Sequence, residues 1–394
     1  GQAIGDQVLI SLARNIEPAL RPDDTLAHLG EDEFAILRFA AGDVRGQLEQ
    51  LLGALYQVMA VPISIDDREF EMTASIGYVF ASQSAGDSGD ELLRDANLAL
   101  YKAKTTGRNK AEPFEAAMHA TAVKRFDLEA DLRRAIAKGG ELELFYQPII
   151  DIQNDRMHGY EALIRWRHPT RGLVSPIDFI PLAEDTGLIV EIGRRSILEA
   201  ARQIASWRPA GGGKPPQVAV NVSGRQFAAE GLLDDIENAL KLTGIPPECL
   251  KLEVTESLVM DNPERTVEML RRIIAIGCKV SIDDFGTGYS SLSHLHRFPF
   301  NTLKIDRSFI VRMADSREGF EIVRVIASMA KVLDRDVVAE GVEEQAQVAV
   351  LKDLGVEFVQ GYVYSKPLPS PDATAFLEKW RQKERERGAS VAAS

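Results

Sequence analysis

Carboxylates recur in this chain at the ends of short apolar runs. The densest instance is Ser281-Ile-Asp-Asp-Phe-Gly-Thr-Gly-Tyr-Ser-Ser291, where Asp283 and Asp284 sit side by side ahead of a glycine-rich stretch. Adjacent carboxylates repel one another, so one pKa rises unless a cation neutralises both. Taken alone, the pair reads equally as a metal site or as a solvated Asp-Asp turn. The remaining strand-like ends separate the two readings. Glu161 and Arg165 lie in Gly159-Tyr-Glu-Ala-Leu-Ile-Arg-Trp166, Asn221 ends Val218-Ala-Val-Asn, and Glu253 and Glu256 flank Val254-Thr255. Lys304 and Asp306 bracket Ile305, Glu340 follows Val338-Ala339, and Gln360 follows Val359. Any one of these could be a cap or a surface charge; the whole series at successive ends is a poor fit to chance. Carboxylates and an amide converging without cysteine or histidine form an oxygen-only donor set, which suits Mg²⁺ or Mn²⁺. An adjacent pair can share one acid between two ions, and paired ions are a standard device for phosphodiester hydrolysis, with Arg165 and Lys304 as the positive groups.

Those residues need elements to carry them. At 394 residues the chain has length for two or three domains with sizeable cores. A formal net charge of −13 excludes a broad electrostatic grip on nucleic acid or anionic lipid, but permits a locally positive pocket. The two cysteines, Cys249 and Cys278, lack C-x-x-C spacing and read as ordinary thiols of a reducing, cytoplasmic compartment. No apolar run approaches the ~18 residues of a membrane span, and no signal peptide is visible. The chain opens at Gly1 inside a helix-like stretch and reads as a fragment, so upstream sensory or membrane segments are left open.

The fold class is α/β. Residues 1–115 read as one unit: a helix over Ala3 to Ile16, a strand, turn and strand over Ala27 to Leu37, a helix over Val44 to Met59, a strand over Met72 to Phe80 and a helix over Glu91 to Lys104. Residues 116–138 are charged, alanine-rich and helical in period, a connecting helix. From Glu141 the strand-like runs Leu144 to Ile150, Tyr160 to Trp166, Val218 to Val222, Leu250 to Val254, Val280 to Ile282, Leu303 to Ile305, Val337 to Ala339 and Phe358 to Tyr364 alternate with helical stretches. That is the pattern of a TIM-like (β/α)8 barrel, here over residues 139–383. Ala210 to Pro216 reads as a flexible loop, and residues 384–394 as a frayed tail.

The second domain resembles the EAL-type cyclic-di-GMP phosphodiesterases. The motif stands as Glu161-Ala-Leu163, followed by NVSGRQF from Asn221, EVTES from Glu253, DDFGTGYSSL from Asp283, LKID from Leu303, AEGVE from Ala339 and QGY from Gln360. The resemblance implies one metal held by Glu161, Asn221, Glu253 and a bridging Asp283, and a second by Asp284 and Glu340. It implies that Lys304 meets the attacking water as base or orienter, and that Glu161, Asp283, Asp284 and Lys304 form the catalytic set. Arg165 resembles a phosphate clamp, while Gln147 (in FYQP), Asp306 and Gln360 stand with the substrate-binding positions. Glu256 matches the glutamate that holds the DDFGTGYSS loop, which in such enzymes also joins homodimer contacts. Asn301 stands where an Asp is common before LKID, and is expected to be scaffold.

Gly30-Glu-Asp-Glu-Phe34 resembles the GGDEF signature of diguanylate cyclases, and Tyr101-Lys-Ala-Lys-Thr-Thr-Gly-Arg-Asn109 a second motif of that family. The resemblance implies a GTP site drawing on Asp6, Gly30, Asp32, Glu33, Lys104 and Arg108. Glu31 replaces the second glycine, adding bulk and charge beside a triphosphate, and the upstream strand carrying a further metal-binding Asp has no counterpart here. The expectation is a degenerate, truncated domain without cyclase activity, its GTP site regulatory or its fold purely structural. Arg21-Pro-Asp-Asp24 fits the R-x-x-D inhibitory-site pattern, with helix-end scaffolding the favoured reading. Three functions follow: hydrolysis of cyclic-di-GMP to linear pGpG, a non-catalytic receptor for it, or a bifunctional cyclase and phosphodiesterase, which Glu31 disfavours.

Overall fold

The computed structural model describes residues 2–65, 68–83, 88–209, 213–261, 263–286 and 297–392. The chain divides into two compact units, Gly1–Asp127 and Leu128–Ser394.

In the first unit, helices α1 (Gln2–Ile16) and α2 (Val44–Met59) turn apolar faces inward. Leu51, Leu55 and Met59, spaced four apart, share a core with Leu12, Ile16, Ile63 and Ile65. Asp43 caps α2 by accepting from the Gly46 amide at 3.0 Å. Strands β1 (Thr25–Gly30) and β2 (Glu33–Leu37) form an antiparallel hairpin, β3 (Ile63–Ile65) pairs antiparallel with β4 (Arg68–Phe70), and β5 (Ile76–Tyr78) pairs parallel with β6 (Ala111–Pro113). The crossover between β5 and β6 carries α3 (Gly89–Thr105), opened by a Ser88/Glu91 capping box. The strand expected over Met72 to Phe80 contracts to Ile76–Tyr78, because its partner β6 is equally short and ends at Pro113, which has no amide to extend the ladder. Helix α4 (Ala117–Lys138) follows.

The second unit is a closed barrel. Its strands are β7 (Leu142–Asp151), β8 (Arg156–His168), β10 (Gln217–Asn221), β11 (Leu250–Thr255), β12 (Lys279–Phe285), β13 (Thr302–Ile305), β14 (Asp336–Ala339) and β15 (Phe358–Gln360), with β9 (Gly172–Val174) extending β8 outside the ring. Neighbours pair in that order and β15 returns to β7. One strand departs from an all-parallel barrel: β7 runs antiparallel to both β8 and β15. The link from β7 to β8 explains this. Asp151 accepts the amides of Gln153 and Asn154 at 3.0 and 2.9 Å, closing a tight hairpin, whereas a parallel partner needs a crossover of about a dozen residues or more.

Alternation along each strand sorts the barrel's two faces. On β11, Leu250, Leu252 and Val254 join the outer core with helix Ile189–Ser206, whose Ile197, Ala200, Ala201 and Ile204 repeat at i, i+3, i+4 and i+7. Lys251 and Glu253 therefore face the interior. Each fully buried Ile or Leu contributes roughly 1.5–3 kcal/mol, so this layer between sheet and helices is the main source of barrel stability. The last strand ends at Gln360, short of the expected Tyr364, and the chain turns away at Gly361. The final helix, Ser370–Ala392, continues through the expected tail. Its Glu, Lys and Arg are good helix formers, and Glu384 accepts the Met157 amide at 3.0 Å, anchoring it to β8. Residues 210–212 of the expected flexible loop lie outside the described residues. No described helix is long and apolar enough to cross a membrane.

In the β1–β2 turn Glu31 adopts φ 46°, the left-handed region that a side chain disfavours, so the turn keeps a glycine-like path despite its glutamate. Glu31→Gly should stabilise the first unit by about 1 kcal/mol, read as an upward shift of its calorimetric transition by a few degrees; no shift would show the turn relaxes to accommodate the side chain.

Candidate active site

One cluster gathers toward the C-terminal ends of the parallel strands, with Glu161 midway along β8. Glu161 on β8, Glu253 on β11 and Asp283 on β12 are 5, 2 and 9% exposed, and Lys304 on β13 is 1% exposed. The Lys304 ammonium stands 2.8 Å from Glu253, 3.2 Å from Asp283 and 3.4 Å from Glu161, and also contacts Glu340 just past β14. Asn221, the last residue of β10, donates to Glu161 Oε1 at 2.7 Å. Gln360, the last residue of β15, donates to Glu161 Oε2 at 2.6 Å and to Gln147 Oε1 at 3.0 Å. Gln147 reaches this cluster because β7 is reversed and pairs it directly opposite Glu161. Gly361 lets Gln360 close in: a Cβ there would lie 1.9 Å from the Val342 carbonyl oxygen.

Asp283 and Asp284 are separated by backbone geometry. The β12–β13 register breaks between Ile282 and Phe285, and Asp284 takes φ 55°. Such a bulge re-aims side chains at a strand end, and Asp is among the residues that tolerate this region. Asp283 Oδ1 accepts the Asp284 amide at 2.9 Å, fixing the pair's backbone. Glu256, buried at the start of the helix Glu256–Asp261, accepts the Gly286 amide at 2.7 Å. Residues 287–296, on which the dimer expectation rests, lie outside the described residues.

Four carboxylates facing one ammonium leave the site short of positive charge. Burial alone would discharge Lys304, but Asp283, Glu161, Glu253 and Glu340 outweigh it and hold its pKa well above the usual lysine value. For Glu161, burial is outweighed by the Lys304 charge and by the bonds from Gln360, Asn221 and Lys304, so its pKa is lowered. The other acids are not so well served. Burial, with the charges of Glu161 and Asp283, pushes Glu253 up to about 8, and burial drives Glu340 well above the carboxylate range. Partial desolvation and the charges of Asp283 and Asp306 raise Asp284. The donor set fits a divalent cation on both counts: it is under-neutralised, and oxygens of Glu161, Glu253 and Asp283 lie within 4.8 Å of one another.

The flanking positions divide. Arg165 is half-buried, lies over the Phe145 ring at 5.8 Å, and makes no salt bridge among the described residues. Asp306 caps the next helix, accepting from the Ser308 amide at 3.0 Å, so its carboxylate has a local structural duty. Asn301 Oδ1 accepts the Val280 amide at 3.0 Å, a scaffold contact between β12 and the approach to β13. Lys251 escaped the sequence reading. It is 3% exposed inside the barrel, its ammonium 2.9 Å from Thr302 Oγ1, and burial pulls its pKa down to about 8 against the attraction of Glu253 and Asp336. The available signal was its place two residues before Glu253, hence on the same strand face.

In the first unit, Lys104 and Glu33 meet at 3.0 Å, which joins the two GGDEF-like motifs. Gly30 takes φ 130° and Arg108 φ 54°, while Asp6 and Asp32 are exposed. Asp24 of the R-x-x-D stretch is spent locally: Arg38 Nε bonds its two oxygens at 2.8 and 3.0 Å, and chiefly through this bond its pKa is lowered.

Removing the Glu256 carboxylate frees the Gly286 amide. Glu256→Ala should speed hydrogen exchange at that amide by about tenfold or more while the barrel strands stay protected; unchanged exchange would mean that the loop is held elsewhere.

Residues 129–367 match the family model "EAL domain", and residues 1–110 match "Diguanylate cyclase, GGDEF domain". The chain is 40% identical over 381 residues to cyclic di-GMP phosphodiesterase NbdA of Pseudomonas aeruginosa, covering 97% of this chain and 48% of that protein. It is 41% identical over 377 residues to the bifunctional diguanylate cyclase/cyclic di-GMP phosphodiesterase MucR of the same organism, covering 95% of this chain and 54% of that protein. The chain thus spans about half the length of these curated relatives. Among solved structures, the PaMucR phosphodiesterase in complex with c-di-GMP aligns with TM-score 0.60 and 44% identity, over 63% of this chain and 99% of that one. The chain belongs to the EAL-domain family and carries a GGDEF-family region ahead of its barrel.

Proposed function

We propose that the barrel hydrolyses cyclic-di-GMP to linear pGpG with Mg²⁺ or Mn²⁺. The carrying observation is the Lys304 ammonium set among Glu161, Glu253, Asp283 and Glu340 at the strand ends, an oxygen-donor site with too little positive charge of its own. Glu161, Asn221, Glu253 and Asp283 would hold one ion and Asp284 and Glu340 a second, with Asp283 between them. Bound there, divalent ions would supply an acidified water and neutralise charge on a phosphodiester.

The chain's own groups divide the remaining work. Lys304, kept charged by its neighbours, is suited to orient an oxygen by donating to it. Arg165 offers a half-buried guanidinium not engaged in a salt bridge among the described residues, a fit to a phosphate oxygen pair. Gln360 Oε1 is buried without a protein partner among the described residues, and can accept from a donor on the substrate. The amide chain Gln147–Gln360–Glu161 orients that acceptor and Glu161 together.

Incubating the chain with cyclic-di-GMP and Mn²⁺ should yield linear pGpG, with Glu161→Ala inactive and Lys304→Met slowed by roughly 10²–10⁴-fold. Tight binding of intact cyclic-di-GMP without cleavage would instead establish the receptor reading, and cyclic product from GTP the bifunctional one.

For the first unit the proposal is a GTP site without cyclase chemistry, formed around Gly30, Asp32, Glu33, Lys104 and Arg108, with Asp6 at the guanine. It is supported by the Glu33–Lys104 contact and by the glycine-like path that Glu31 preserves. GTP binding should saturate in equilibrium dialysis and weaken in Lys104→Ala; a linear, non-saturating isotherm would rule it out.

A further inference from the structure

Beneath the acid cluster one side of the barrel interior is polar where Val, Ile and Leu usually fill the layers, whereas Ile149, Val338 and Phe358 fill the other side. Three neighbouring strands each carry a pair of inward residues two apart: Lys251 and Glu253 on β11, Ser281 and Asp283 on β12, Thr302 and Lys304 on β13. The upper member of each pair belongs to the site, and the lower members form a floor. Glu253 is register-paired with Ser281 and Ser281 with Thr302, so floor and site interlock across the strands. All three floor residues are buried: Lys251 is 3% exposed, and Ser281 and Thr302 are 0% exposed. Lys251 Nζ donates to Thr302 Oγ1 at 2.9 Å, while Ser281 Oγ has no protein partner among the described residues.

Lys251 makes no salt bridge among the described residues, whereas Lys304 one layer above contacts four acids. An interior ammonium held by a hydroxyl is a costly choice for a barrel layer, offset only at longer range by the charges of Glu253 and Asp336. The nearest acid along its own strand face is Glu253. We infer that Lys251 is a buried ammonium under the acid cluster, a positioning residue that limits how tightly the cluster holds a divalent cation. The physical basis is that an ammonium at this place repels a doubly charged ion directly, so a neutral side chain there would leave the carboxylates' attraction for the ion less opposed. The floor thereby keeps the bound ion exchangeable and prevents the site from becoming a permanent metal trap.

This inference rests on the metal-dependent reading of the site, and its test separates the two. The chelator-stripped full chain is titrated with Mn²⁺ by calorimetry. Lys251→Met should bind Mn²⁺ about tenfold tighter than the unsubstituted chain, equivalent to about 1.4 kcal/mol, and Lys251→Gln should shift the same way. Lys251→Arg, which keeps the charge, should stay within about threefold of the parent, a rescue that a purely structural role does not predict. Lys251→Gln also retains a donor for Thr302, so the test stands if the methionine variant fails to fold. Unchanged or weaker Mn²⁺ binding in folded Lys251→Met and Lys251→Gln would overturn the inference alone. Absence of Mn²⁺ binding by the parent chain would overturn the metal reading beneath it.

Discussion

The Lys304 ammonium is the charge about which the second unit is arranged. Buried charges persist in a protein only when others offset them, and here the acids arrive from Glu161, Glu253, Asp283 and Glu340, each on or just beyond a different strand. No local segment could assemble that group. A closed ring of strands brings the residues together, and the outer apolar layer that closes the ring is therefore as much a requirement of the site as the acids themselves. The imbalance of four carboxylates against one ammonium is what gives the cluster an appetite for cations.

The amide side of the site follows from a topological exception. Because β7 runs against its neighbours, Gln147 lies opposite Glu161 and is bridged to it by Gln360 from β15. A hairpin in place of a crossover helix thus brings amides from the first and last strands of the ring together beside one carboxylate. The same economy appears at the DDFG stretch, where a register break and a left-handed Asp284 leave one of two consecutive acids buried and the other exposed.

Much of this was legible in the residues, and the limits were physical. Glu161, Glu253, Asp283, Lys304 and Glu340 could be read as one site because each sits at or near the end of an apolar run, and strand ends converge in a closed barrel. Lys251 could not, since a lysine alternating with Leu250 and Leu252 reads as solvent-facing until ring closure decides which face is inside. The reversal of β7 was also hidden, as an apolar run has the same pattern in either direction. The short polar stretch Gln153-Asn154-Asp155 was the clue, being too brief for a crossover. At the final helix, composition does not reveal the tertiary anchor that the contact of Glu384 with the Met157 amide supplies. Asp306 shows the converse, a polar residue in a family motif whose visible work is to start a helix.

In a barrel of uniformly parallel strands the chain enters through the floor, on the side away from the acids. Here the reversed first strand begins at the open rim, with Leu142 opposite Trp166 near the far end of β8. The segment leading into it bends through Gly139 and Gly140, at φ 74° and 85°. The chain therefore reaches this strand from the acid-bearing side of the barrel, and two residues without side chains form the joint through which it enters.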